Sequence, residues 1–288
     1  MSAKNLKDLE NEYTKDKEIQ NYKFLKQYLT LHRAELFFAD KAIFIEGDTE
    51  RILLPAMMKK IDQDNPDNPL LSQNISIVEV GNYSHIFEKF IDFFGIKSLI
   101  ITDIDSAKTI QEDNETKTIK CKVDSTEEAI TTNASLKFFY EKEKISDYKD
   151  KKVDTLTLSK KEETDTTSNQ TTKKWKLDTD GKLVCVYQTK EKNSDTLEYH
   201  ARSFEDSFFH LNRQFIIDNK VNFKSLKHIA YFEEKTGTSY AKDAYELAEN
   251  CIYKKPPFAI EILLNSDEDF SNWKTPDYIN QGLLWLKD

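Results

Sequence analysis

Glycine is scarce in this chain, at six of 288 residues. None of the six builds a G-x-x-x-x-G-K-[ST] loop, so a P-loop, and with it an ATP site of that type, is excluded. Cysteine is scarcer still. Cys121, Cys185 and Cys251 lie far apart with no C-x-x-C, which excludes a zinc knuckle and a disulfide framework and reads as a reducing compartment. The five histidines, His32, His85, His200, His210 and His228, form no H-E-x-x-H and show no ligand spacing. Neither G-x-S-x-G nor a Cys/His dyad stands out, which leaves the common covalent hydrolase chemistries without a nucleophile. No apolar run reaches ~18 residues, so no membrane span is expected. Residues 1–16 are polar and lack the apolar core of a signal peptide, and the cytoplasm is the expected location. Excess positive charge is missing too. Lys and Arg number 42 against 51 Asp and Glu, a net charge of −9. That argues against a general basic coat for nucleic acid. A local basic groove, or phosphate held through metal ions, stays open.

What is present is enough to bury a core, with 38% hydrophobic and 12% aromatic residues. The chain is organised around residues 41–50. Ala42, Ile43, Phe44 and Ile45 are apolar without alternation, as in a strand covered on both faces. The run ends on Glu46 and Gly47, with Asp48 as the expected cap of a helix over 49–61 that contains Pro55. A second strand is expected over 75–80, broken by Gly81-Asn82. Phe87, Phe90, Ile91 and Phe94 then mark a helix stopped by Gly95, and a third strand follows over 98–103. Strand, helix, strand, helix, strand implies right-handed crossovers and a parallel sheet.

Around this centre, residues 1–16 read as frayed or disordered and 17–38 as a helix. Residues 105–125 are polar and give no clear element. A helix is expected over 131–142, a short β-like piece over 153–158, and a β-hairpin from 175–177 to 183–187 on an Asp180-Gly181 turn. Helices follow over 204–215, capped by Ser203, over 240–251, from 258 to 264 and over 278–286. Lys254 to Pro257 reads as the break after one of these helices. The expected organisation is an N-terminal tail and linker helix (1–40), a core domain (41–215) with a partly mobile insertion at about 106–180, and a C-terminal helical subdomain (216–288).

Glu46, Asp103 and Asp105 stand just past the ends of two expected strands, where open α/β sheets bind ligands. Oxygen donors of this kind suit a divalent cation. Asp103 and Asp105 share a side if the chain stays extended there, and Glu50 lies one helical turn beyond Glu46. Taken singly, each acid is as well read as an ordinary loop or capping residue. Ser203 to Asp206 is close to a capping box, which offers Ser203 and Glu205 a purely structural role. Lys254 and Lys255 read as the end of a helix, where a lysine complements the dipole.

Six pieces, in order, carry a resemblance: FFADKAIFIEGDTE (37–50), IVEVGN (77–82), ITDIDS (101–106), TTNASLKFF (131–139), ARSFED (201–206) and KKPPFA (254–259). With them the chain resembles the Toprim nuclease half of the OLD (overcoming lysogenization defect) family of ATP-dependent endonucleases, the group that includes the Gabija nuclease. The likeness runs from about residue 28 to the C-terminus and is thin over 107–125 and 143–180. It implies a Toprim-like α/β fold, a parallel sheet flanked by helices. It also implies a DNA endonuclease, nicking or cutting by a two-metal mechanism with Mg²⁺ or Mn²⁺, in anti-phage defence. Glu46 resembles the Toprim glutamate, a metal ligand and general base. Asp103 and Asp105 resemble the paired metal ligands. Glu50, Ser203 and Glu205 resemble the residues around a second metal. Lys255 resembles the lysine that steadies transition-state charge, with Lys254 as runner-up. Family members carry an N-terminal ATPase that is absent from this sequence: either it is a fragment, or the ATPase is a separate chain, or the domain acts alone. The expected partner is DNA, with a separate ATPase or helicase subunit and homo-oligomerisation left open. The alternative is a non-catalytic Toprim scaffold that docks a partner. Strand-passing or primer-synthesis chemistry ranks below both, because no breakage tyrosine motif or priming domain is visible.

Overall fold

The structure is a computed structural model and describes residues 4–32, 34–112, 115–164 and 171–288. Two helices open it, α1 (Leu6–Lys15) and α2 (Ile19–His32). Next come β1 (Lys41–Ile45), α3 (Asp48–Asp64), β2 (Ile75–Glu79), α4 (Glu88–Phe94) and β3 (Lys97–Ile101). The middle of the chain holds β4 (Ser106–Glu112), β5 (Glu115–Lys120), β6 (Ile130–Thr131), α5 (Ala134–Tyr140), β7 (Leu158–Thr164), β8 (Thr171–Leu177), β9 (Leu183–Val186), β10 (Lys190–Lys192) and β11 (Glu198–His200). The rest is mainly helical: α6 (Phe204–Asp218), a small β12–β13 hairpin (Lys235–Thr236, Ser239–Tyr240), α7 (Ala244–Cys251), α8 (Lys255–Leu264) and α9 (Asp277–Lys287).

The α/β class expected from the alternating pattern holds. The main sheet runs β2-β1-β3-β9-β7-β8. Its first four strands are parallel, and the β7–β8 hairpin extends it antiparallel. Ala42 to Ile45, Leu99 to Ile101 and Leu183 to Val186 are all buried, as strands covered on both faces should be. Register explains the two covers. Leu99 and Val186 face α9, where Gly282 comes so close that an added Cβ would stand 2.9 Å from Leu99 Cδ1. Phe44 points the other way and meets Phe87, with ring centroids 5.4 Å apart. Beyond Leu183, β9 has no pairing with β7, and the Tyr140 hydroxyl fills the gap: it accepts from Cys185 N–H at 3.1 Å and lies 3.0 Å from the Cys185 carbonyl. A buried backbone pair left over by the sheet is thus satisfied by a side chain.

Several local expectations are corrected. Within residues 1–16, expected to fray, 6–15 form α1, which buries Leu9 and Tyr13. The second helix stops at His32, and a 3-10 segment covers Ala34–Phe38. Residues 106–112 and 115–120, unclear from their polarity, form the antiparallel strand pair β4–β5, whose second strand is exposed along its length and therefore shows no apolar pattern. The expected hairpin on Asp180-Gly181 is not one. β8 pairs with β7, whereas β9 lies parallel to β3; a turn residue pair signals a reversal, not which strands pair. The strand expected over 153–158 starts at Leu158, after a 3-10 turn at Val153–Thr155. The parts of these expectations that fall on residues 1–3, 33, 113–114 and 165–170 lie outside the described residues.

Candidate functional site

Three adjacent parallel strands, β2, β1 and β3, deliver acids to one end of the sheet. β2 ends on Glu79, β1 is followed by Glu46, and Asp103 stands two residues past β3. A cavity of about 360 Å³ is lined there by Glu46, Glu50, Glu79, Asp103, Glu205 and Lys255, among others. Glu50 comes from the first turn of α3 and Glu205 from the first turn of α6. Both are acids where a helix dipole favours them.

Two of the acids are anchored through one oxygen. Glu46 Oε1 accepts from the Thr102 hydroxyl, from Asp103 N–H at 3.1 Å and from Asn133 Nδ2 at 2.9 Å. Asp103 Oδ1 accepts from Gln188 Nε2 at 2.6 Å and from Phe204 N–H, at the start of α6, at 2.9 Å. Glu46 Oε2 and Asp103 Oδ2 take no hydrogen bond among the described residues. Glu205 is committed at both oxygens, to Lys255 Nζ at 3.0 Å and to the Thr49 hydroxyl at 3.4 Å. Among the described residues, no group of three or more His, Cys, Asp or Glu side chains is already arranged as a metal cage.

The electrostatics are those of like charges crowded out of water. Burial pushes Glu50 up to about 8, helped by Glu205. Burial also raises Asp103 well above the usual carboxylate range, with Glu46 and Glu205 adding to it, and raises Glu46. Burial works against the Lys255 ammonium, but Glu205 and Asp103 outweigh it and hold its proton more firmly. A compact set of hard oxygen donors, with spare oxygens and unrelieved negative charge, fits a divalent cation chemically.

The other expected residues fall differently. Asp105 is not extended: its φ is +49°, and its carboxylate pairs with Arg202 Nη2 at 2.9 Å. It does not line the cavity, though its charge still acts on Glu46. Ser203 is the N-cap of α6, accepting from Asp206 N–H, and also stands outside the cavity lining. Asp48 is the first residue of α3 rather than its cap, and pairs with Arg51. Gly47 is extended, at φ −159°. Lys254 and Lys255 do not close a helix. Lys254 is the N-cap of α8 and Lys255 its first residue, followed by two prolines suited to a first turn. The dipole there opposes a cation, so the dipole explanation for Lys255 is lost.

Sequence reasoning missed Asn133, Gln188 and Glu79. Asn133 is fully buried. Its Oδ1 caps α5 through Ser135 N–H and Leu136 N–H, while its Nδ2 holds Glu46 and Thr102. Gln188, also fully buried, accepts from Ile104 N–H at 2.8 Å and reaches the Tyr278 hydroxyl at 3.0 Å while holding Asp103. Glu79 and Gln188 obey the rule that singled out Glu46: a polar residue at or just past the end of a buried parallel strand.

A parallel sheet with acids at its strand ends, backed by acids from helix N-termini, defines a Toprim-type domain. Residues 37–105 match the family model described as "Overcoming lysogenization defect protein-like, TOPRIM domain", so that stretch is similar to an OLD-like Toprim domain. It is similar to the curated protein "Endonuclease GajA" of Bacillus cereus (strain HuB5-5), 30% identical over 276 residues. That match takes in 94% of this chain but 34% of the relative, so the chain spans about a third of its length. Among solved structures it is similar to the C-terminal region of the Burkholderia pseudomallei OLD protein, at 17% identity and a TM-score of 0.42, covering 87% of this chain and 98% of that one. No helix among the described residues is long and apolar enough to cross a membrane.

Proposed function

We propose that this domain is a divalent-metal-dependent DNA endonuclease that hydrolyses phosphodiester bonds. The observation that carries the reading is the convergence of Glu46, Glu50, Asp103 and Glu205, from four separate elements, on one cavity beside Lys255. Glu46 Oε2 and Asp103 Oδ2 would hold Mg²⁺ or Mn²⁺ at one position, and Glu50 and Glu205 at a second. Two bound ions would supply an activated water and charge stabilisation at the leaving oxygen. The chain's own contribution is positioning. Thr102, Asn133 and the Asp103 amide fix Glu46 through Oε1, so that Oε2 would be aimed at the ion or, as the general base, at the attacking water. Gln188 and the α6 N-terminus fix Asp103. Lys255, which pairs with Glu205 here, would place a positive charge beside the phosphoryl oxygens once that carboxylate held an ion. Asp105 acts through its charge and through Arg202, and Ser203 by holding the start of α6, rather than as ligands in the present arrangement. DNA as substrate rests on the relative's being an endonuclease. Anti-phage defence, a cytoplasmic location and a separate ATPase or helicase partner extend the same reading.

The test is plasmid nicking in Mn²⁺. Wild type converts supercoiled to open-circular DNA and Glu46→Ala does not; equal nicking by both refutes the assignment. One observation favours a second reading, a non-catalytic Toprim scaffold: each of Glu46, Asp103 and Glu205 is already engaged by protein donors and no cage is preformed. A scaffold shows no Mg²⁺-dependent rise in melting temperature, whereas a metal site shows one that Asp103→Asn abolishes.

A further inference from the structure

A second cavity, of about 820 Å³, lies along α6 away from the carboxylate cluster. Its walls include Tyr199, His210, Arg213, Lys235, Tyr240 and Lys242. Arg213 sets its chemistry. The guanidinium lies over the Tyr240 ring, 4.0 Å from its centroid, and Nη2 donates to the Lys242 carbonyl at 2.6 Å. Nη1 is buried and finds no acceptor among the described residues. Lys235 stands over the same ring at 5.2 Å, so two cations gather at one aromatic side chain.

The acids nearby do not neutralise them. Asp243 caps α7 and pairs with Lys122. Glu198 pairs with Lys190 and Lys192. Asp243 and Asp195 both act on Arg213 through their charge, yet burial outweighs them and neither forms an ion pair with it among the described residues. The direction of Arg213 is also built in. Asn212, at φ −122° and ψ 23°, breaks the helix immediately before it, and its carboxamide is clamped to the Lys274 backbone through two hydrogen bonds of 2.9 and 2.6 Å. A half-buried guanidinium with one buried nitrogen unpaired is costly. A fork of N–H donors beside an ammonium is the arrangement that phosphate oxygens satisfy. The tilted Tyr199–His210 pair, with centroids 5.0 Å apart, adds an aromatic wall.

We propose that this cavity binds a phosphate group, with Arg213 and Lys235 supplying the charge. The phosphate comes from a small phosphorylated ligand such as a nucleotide, or from a DNA backbone lying along α6. Arg213 lies eight residues after Glu205, roughly 12 Å along the helix axis, and the inference stands independently of the nuclease reading.

The test is calorimetry in EDTA, with pyrophosphate, deoxyadenosine monophosphate and a short DNA duplex as probes. Arg213→Gln and Lys235→Ala are each compared with wild type. Wild type is expected to bind at least one probe, and both variants to bind it at least tenfold more weakly. Loss of pyrophosphate or nucleotide binding identifies a small-molecule site; loss confined to the duplex identifies backbone phosphate. Lys235→Ala removes a surface side chain and guards against a folding defect in the Arg213 variant. Unaltered binding of every probe by both variants, or no binding by wild type, overturns the proposal.

Discussion

Lys255 is the first residue of α8, and its ammonium lies 3.0 Å from the carboxylate of Glu205, the second residue of α6. Two helix N-termini thus meet through an ion pair in which only the acid sits where its helix favours it. A cation in the first turn of a helix costs ~0.3–1 kcal/mol by the dipole alone. Its place is explained by the acids around it, not by its own helix.

Replacing this lysine should therefore separate binding from chemistry. Lys255→Met is expected to slow plasmid nicking by about 10²-fold or more, as loss of a transition-state charge does, while Mn²⁺ affinity measured by calorimetry is retained or rises. A nicking rate within threefold of wild type removes Lys255 from the mechanism.

The pH dependence of stability has a definite sign. Glu50 titrates near 8 in the folded chain, and Asp206 and Glu191, both raised chiefly by burial, near 7. Their unfolded values lie near those of free carboxylates, so the native state holds more protons between about pH 4.5 and pH 8. Metal-free protein should lose stability as pH rises through that window. Urea denaturation in EDTA at pH 5.5 and 8 checks this. Glu50→Gln should flatten the trend, and Mg²⁺ should oppose it at pH 8. A stability that rises over the window contradicts the burial of these acids.

Asn133 joins a helix cap to the site. Asn133→Ala should cost ~1–2 kcal/mol through the lost cap of α5 and weaken Mn²⁺ binding about 10–100-fold through the lost hold on Glu46. Asn133→Ser can keep the cap but lacks the amide donor. It should recover most of the stability and little of the metal affinity, read by urea denaturation and calorimetry on one preparation. Recovery of both would reduce Asn133 to a capping residue.

Gly282 tests how tightly the last helix is seated. An added methyl would meet Leu99 Cδ1 at 2.9 Å and Val186 Cγ1 at 3.1 Å. Gly282→Ala should destabilise the chain by ~1–3 kcal/mol, the usual cost of overpacking, although alanine is the better helix former. A more stable variant would show that α9 can lift off the sheet.

The core of the fold was legible because its strands are buried on both faces. Ala42 to Ile45 and Ser98 to Ile101 announce themselves as apolar runs, and their ends announce Glu46 and Asp103. Pairing was less legible. Leu183 to Val186 reads as a strand, but nothing local says that its neighbour is β3 and not β8, because register and order are decided by long-range packing. The exposed strand β5 carries no apolar pattern at all. The resemblance supplied Glu205 and Lys255, which spacing alone left undecided, yet it did not distinguish Asp105 and Ser203 from residues that line the cavity. Arg202 and the cap of α6 claim those two, and such partners are visible only in three dimensions. Asn133 and Gln188 stayed hidden because a buried amide has no periodic signature.

The most direct measurement is anomalous diffraction from crystals of this domain soaked in Mn²⁺. The account predicts a peak between the carboxylates of Glu46 and Asp103, within coordination distance of both, that disappears in Asp103→Asn. Crystals that take up manganese elsewhere, or show none at that position while Glu46 and Asp103 keep the hydrogen bonds described here, would contradict it.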